Sequence, residues 1–167
     1  MRSFEDLGSF AAELIAIEVG FHMKLAHGLE KVAQRVEKTA KDEIGEYQEA
    51  IGPFPDWEEL ADSTKDDRVR KGFTENDPLL RSGALRDSIG HQTDINSLEA
   101  VVGSTSDIAV YQELGTEKIP PRPFLGPAVE KNRSAIKKIV GGAAIRGLLG
   151  GGSIPTELEY DHDIHEG

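Results

Sequence analysis

The side chains best equipped for chemistry lie near the C-terminal end, in Asp161-His162-Asp163 and His165-Glu166. Carboxylates and imidazoles ligate metals, but a tight site needs a scaffold and a further layer of hydrogen bonds to orient its ligands. A segment that follows Gly150-Gly151-Gly152 offers neither. It reads as an acidic tail, 150–167, flexible or ordered only by a partner, that binds metal adventitiously at most. His22 and His27 are five residues apart with Met23 after the first, whereas a zinc-protease helix needs a spacing of four and a glutamate there. The carboxylate pairs Glu58-Glu59 and Asp66-Asp67 fall in charged sequence that would leave them solvated, so nothing separates their pKa values for acid–base work. Ser82, Ser88, Ser104 and Ser106 lack the glycines of a nucleophile elbow. The glycines from Gly141 to Gly152 lack the lysine and hydroxyl residue of a phosphate loop. The chain therefore reads as a non-enzyme, with no catalytic residue, no metal site and no cofactor.

Charge narrows the partners. A net charge of -11 over 167 residues disfavours gripping nucleic acid by its phosphates, although it suits a wall that DNA slides past. One basic cluster interrupts the acidity: Lys131, Arg133, Lys137, Lys138 and Arg146. It fits an ordinary wet face, a contact for an acidic neighbouring subunit, or a strip facing DNA. With no cysteine, disulfides and thiolate sites are excluded, and with 29% charged residues the composition is that of a soluble globular chain. No apolar run is long enough for a membrane span, and Met1 to Asp6 lacks the character of a secretory signal, so a cytoplasmic site of synthesis is expected.

The elements that must position these residues begin with a long helix, expected from about Phe10 to Tyr47 within segment 1–51. Phe10, Leu14, Ile17, Phe21, Leu25, Leu29, Val32, Val36 and Ala40 recur at steps of three and four. About 38 helical residues span roughly 57 Å, more than the ~40 Å diameter of a compact domain of this length. An unbroken helix would thus carry part of its apolar stripe beyond its own domain, where it needs a partner. The alternative is a break near Gly28 and a hairpin that folds back.

Segment 52–80 reads as an irregular loop, with one short helix at Trp57 to Ala61, a charged surface stretch from Asp62 to Lys71, and Trp57 as a local anchor. Segment 81–126 reads as a β region and arm: a turn at Ser82 to Arg86 leading into a strand from about Leu85 to Thr93, turn residues Asp94 to Ser97, and a second strand from Leu98 to Ser104. A short helix from Asp107 to Leu114, closed by Gly115, should pack over the sheet. Ile119-Pro120-Pro121-Arg122-Pro123-Phe124-Leu125 must be extended, as a third strand or a rigid arm, because each residue before a proline is driven from the helical region. A last helix is expected over 127–149. The fold class is α+β: a long N-terminal helix and a C-terminal helix packed on a small antiparallel β-sheet, one domain over 1–149.

Three segments together resemble the phage virion-morphogenesis and tail-completion family of the head–tail neck. They are Asp77-Pro78-Leu79-Leu80-Arg81-Ser82-Gly83-Ala84-Leu85-Arg86-Asp87-Ser88-Ile89, then Val101-Val102-Gly103-Ser104 with Tyr111-Gln112-Glu113-Leu114-Gly115-Thr116, and Ile119 to Ala128. Trp57-Glu58-Glu59-Leu60 with Ser63-Thr64 adds a fourth element, so the likeness spans roughly Pro55 to Lys131. Gln112 and Leu114 depart from the alanine and phenylalanine usual there. Leu80, Gly83, Leu85, Ser88, Tyr111, Gly115 and Thr116 are the motif positions.

The resemblance implies a structural virion protein, assembled in the host cytoplasm. It would form a homo-oligomeric ring, a hexamer, joining tail tube to head connector around a channel for DNA. Its other partners would be the connector or stopper, the tail terminator and the tail tube, with no sequence-specific DNA contact and no membrane. Leu14, Ile17, Phe21, Leu25, Leu29, Val32 and Val36, with the arm residues Pro120, Pro121, Arg122, Pro123 and Phe124, are the candidate subunit contacts. Arg122 offers a planar fork for a carboxylate or a pair of carbonyls, and Phe124 an apolar anchor. The arm equally suits fastening the last helix within one chain. A soluble non-virion interaction module or regulator is the alternative, and a hydrolase using the tail histidines a third.

Overall fold

The computed structural model describes residues 6–149, so the acidic tail and its Asp161, His162, Asp163, His165 and Glu166 lie outside the described residues. The chain is α+β, as its periodicities require. A long N-terminal helix, α1 (Leu7–Glu43), is followed by α2 (Asp62–Arg70) and α3 (Ala84–Ser88). A two-stranded antiparallel sheet, β1 (Ile89–Asp94) and β2 (Glu99–Ser104), comes next. Then follow α4 (Asp107–Leu114), α5 (Leu125–Lys131) and α6 (Arg133–Leu148). Helix α1 is unbroken at Gly28, which excludes the folded-back hairpin. At 1.5 Å per residue its 37 residues extend about 55 Å. No helix among the described residues is long and apolar enough to cross a membrane.

Two compact units divide the chain. One holds the first part of α1 to Val32, the hairpin tip Thr93–Glu99 and α6 from Ala135. Small residues let its two helices approach closely. A Cβ placed on Gly28 would sit 2.9 Å from that of Ala143, and one on Gly147 only 2.6 Å from the Phe21 backbone. The hairpin tip is tied to α1 by His22 Nε2, hydrogen-bonded to the Ile95 carbonyl, and by Thr93 Oγ1, which donates to the Glu30 carboxylate.

The other unit comprises Ala33–Gln92 and Ala100–Ser134. Its core gathers Ala33, Val36, Ala40 and Ile44 from α1 and its exit, with Trp57, Leu60, Pro78, Leu85, Ile89, Ala109, Phe124 and Ala128. His91 on β1 pairs with Glu37 on α1, and Asn132 binds Thr39 and accepts from Arg35. These contacts hold the sheet and the α5 end against the helix.

Several boundaries differ from expectation. Helix α1 stops at Glu43 rather than near Tyr47: Gly45 takes φ +113° and gives its N–H to the Pro78 carbonyl, turning the chain early. Trp57 to Ala61 is not helical, because Trp57 N–H bonds the Gln48 carbonyl while those of Glu58 and Glu59 are taken by Arg122. The charged stretch read as a surface loop is instead α2. It lacks an apolar period, but Asp67 pairs with Arg70 and Lys71 one turn on, and Arg68 is buried, donating to the Thr74 and Leu80 carbonyls. The turn at Ser82 to Arg86 opens a helical turn, α3, entered through Gly83 at φ +86°, so the strand expected from about Leu85 starts only at Ile89, the Asp87 N–H being drawn back to the Gly83 carbonyl. The C-terminal helix is two, α5 and α6, separated at Asn132, whose Nδ2 turns back to the Ala128 carbonyl.

Candidate functional site

Two features stand out: a tightly built motif region, and apolar helix surface left uncovered. The motif region is organised by Glu113 on α4. Its carboxylate accepts three consecutive backbone N–H groups, from Phe124 (2.8 Å), Leu125 (3.1 Å) and Gly126 (3.0 Å). These are orphan donors at the start of α5, a helix without a capping side chain of its own. An ionised acceptor suits the positive end of the helix.

The arm is fastened on its other side by Arg122, which donates Nη2 to the carbonyls of Glu58 (2.8 Å) and Glu59 (3.2 Å) and Nε to that of Glu58. Trp57 Nε1 donates 2.9 Å to the Pro123 carbonyl. The tryptophan is therefore a local anchor, and its target is the arm. Gly115 adopts φ +74°, and a Cβ there would meet Pro121 N at 2.9 Å, so only glycine lets α4 turn this closely into the proline segment. Leu85 is buried, Leu80 half-buried, and Ser88 Oγ binds Ser104 Oγ at 2.7 Å, joining α3 to β2. Thr116 Oγ1 accepts from the N–H groups of Lys118 and Ile119. Gly83, Leu85, Ser88, Gly115 and Thr116 thus have local structural duties, while Tyr111 is exposed.

Arg122, Pro123 and Phe124 are buried, with Phe124 at 0% exposure, so these three are taken up inside their own chain. Pro120 is half-buried and Pro121 open to solvent. Among the described residues the buried carboxylate is Glu43, whose pKa burial pushes up while Lys131 Nζ, 3.1 Å away, pulls it down. This pair ties the end of α1 to the end of α5.

No protein-family model, curated protein or solved structure matches the chain.

The second feature is the first half of α1. Of the expected contact line, Leu14 is exposed, while Ile17, Phe21, Leu25, Leu29 and Val32 are partly covered and Val36 is buried. The exposed residues include Leu7 and, on a ridge the apolar periodicity did not single out, Ile15, Val19 and Met23 at steps of four. That ridge runs into a cavity of about 300 Å³ between α1 and the hairpin tip, with Met23, Ala26, Leu29 and Ile95 as its apolar lining. The two carboxylates at its edge are already engaged: Glu30 with Thr93, and Asp94 with the N–H groups of Asn96 and Ser97, which hold its pKa below the ordinary value. Among the described residues no three histidine, aspartate or glutamate side chains form a metal-binding group.

The basic cluster is split in its use. Lys131 binds Glu43 and Gln48, and Arg133 binds Glu130. Lys137, Lys138 and Arg146 are exposed and form no ion pair among the described residues. On α2, the Asp67 carboxyl is held well below the usual carboxylate range by Lys71, Arg81 and Arg70. These are surface pairs, worth little each.

Proposed function

We propose that this chain is a structural subunit of a phage head–tail neck, of the tail-completion kind, that acts by assembling into a ring through which DNA passes. The observation that carries the reading is the uncovered apolar face of α1, from Leu7 through Leu14 and Ile15 to Met23. Contiguous apolar surface of this extent marks an interaction site on a soluble chain. The motif segments support the reading in a second way. Glu113, Gly115, Arg122 and Phe124, which lie in the segments that carry the resemblance, form one interlocked structural unit with no reactive geometry of its own. In this role the chain is not an enzyme and needs no cofactor, and its net charge of -11 keeps the channel wall from gripping DNA. Its partners would be further copies of itself, in a hexamer, together with the connector and tail proteins above and below. Its place would be the virion.

The test is the state of the purified full-length chain, measured by light scattering and by electron microscopy of negatively stained particles. Closed rings with a central opening are expected, and antibody against the chain should label the neck of intact virions. A chain that stays monomeric at about 100 μM and is missing from virions refutes the proposal.

A further inference from the structure

A second apolar face lies on α4. With 100° between successive residues, Val110, Leu114, Tyr111 and Ile108 fall within one arc of about 160°, and all four are exposed. The opposite side of the same helix carries buried Ala109 and the Glu113 carboxylate that caps α5, so α4 cannot roll to hide its oily side. Each chain therefore presents two apolar helix faces, one on the first half of α1 and one on α4, fixed in different units.

We infer that these two faces are the two halves of one subunit contact: the Ile15–Val19–Met23 ridge of one copy packs on the Ile108, Tyr111 and Leu114 face of the next. The inference rests on the ring reading above and specifies its junction. Area supports a second copy as the occupant. Covering both faces removes on the order of 1,000 Å² of apolar surface, the size at which a specific interface becomes stable. Symmetry supports it too. A two-fold pairing of α1 with α1 would leave every α4 face exposed, whereas a head-to-tail contact uses the α1 ridge and the α4 face once each per copy when the ring closes. A residue step of four on the ridge also provides the row that packs into the groove of a facing helix.

Two charge-introducing variants of the full-length chain separate the halves. Ile15→Glu spoils the α1 ridge, and Leu114→Glu spoils the α4 face. With 61% and 75% exposure these sites carry no folding role, which unchanged circular dichroism and melting would confirm. Each variant alone should weaken self-association about 30-fold or more and run as a monomer. Mixed in equal amounts they should form a one-to-one dimer and no ring, since the mixture holds one intact junction. If either variant assembles like the unmodified chain, if the mixture yields no dimer, or if Leu114→Glu pairs with itself, the junction is wrong. Those outcomes leave the ring reading standing, because the unmodified chain still assembles in each. A monomeric unmodified chain refutes the ring reading instead.

Discussion

Glu113 should be the most sensitive polar side chain in the motif region. Replacing it with alanine leaves the N–H groups of Phe124, Leu125 and Gly126 without their acceptor, in a part-buried setting that water enters poorly. Each part-buried donor left unpaired costs about 1 kcal/mol, and loss of a helix cap costs about 0.5–2 kcal/mol, effects that overlap rather than add. The expected loss is about 2–3 kcal/mol. Glu113→Gln keeps an acceptor oxygen but turns an amide N–H toward at least one backbone N–H, so it should lose about half as much. In urea with a slope of about 2 kcal/mol per M, the alanine variant should unfold 1–1.5 M earlier, at roughly unchanged slope. Hydrogen exchange should speed up at Leu125 and Gly126 before it does on α1. An alanine variant within about 0.5 kcal/mol of the unmodified chain would show that the carboxylate does not cap α5 as described.

Gly147→Val should open the α1–α6 crossing, because a Cβ there lies 2.6 Å from the Phe21 backbone; a drop in melting temperature of several degrees is expected by calorimetry. Gly141→Ala and Gly20→Ala, where a Cβ meets nothing within 4 Å, should instead stabilise by about 0.5–1 kcal/mol, since alanine is the better helix former. Phe124→Ala, at a fully buried position, should cost about 3–5 kcal/mol in chemical denaturation. The Glu37 carboxyl is held below its ordinary value of 4.5, first by its hydrogen bond from Lys41 and then by His91. A carboxyl made more acidic by folding contributes stability above that value and loses it as pH falls through the folded one. Urea midpoints should therefore show Glu37→Gln weaker than the unmodified chain at pH 7, with the gap closing as pH falls below 4.5.

Local rules carried the secondary structure where they acted alone. The steps of three and four from Phe10 to Ala40 dictated a long helix, the valines and turn residues around Asp94 a hairpin, and the prolines after Ile119 a stretch outside any helix or strand, although Leu125, expected to be extended, already opens α5. Where tertiary partners competed, the sequence misled. Glu58 and Glu59 would continue a helical turn, yet their carbonyls go to an arginine more than sixty residues away. Helix α2 has no apolar period, and its buried Arg68 finds carbonyl partners only once the chain folds back at Leu80. Asn132 looks like an ordinary helix residue until its bonds to Ala128, Thr39 and Arg35 split the last helix in two. The candidate site divides in the same way. Periodicity picked out one apolar stripe on α1, from Phe10 to Ala40, and passed over the ridge of Ile15, Val19 and Met23 beside it. Which sides stay open was decided by the approach of Gly147 to Phe21 and Gly28 to Ala143, which covers one face and leaves Ile15, Val19 and Met23 bare. Burial belongs to pairs of distant surfaces, and a sequence read along its own length holds only one member of each pair.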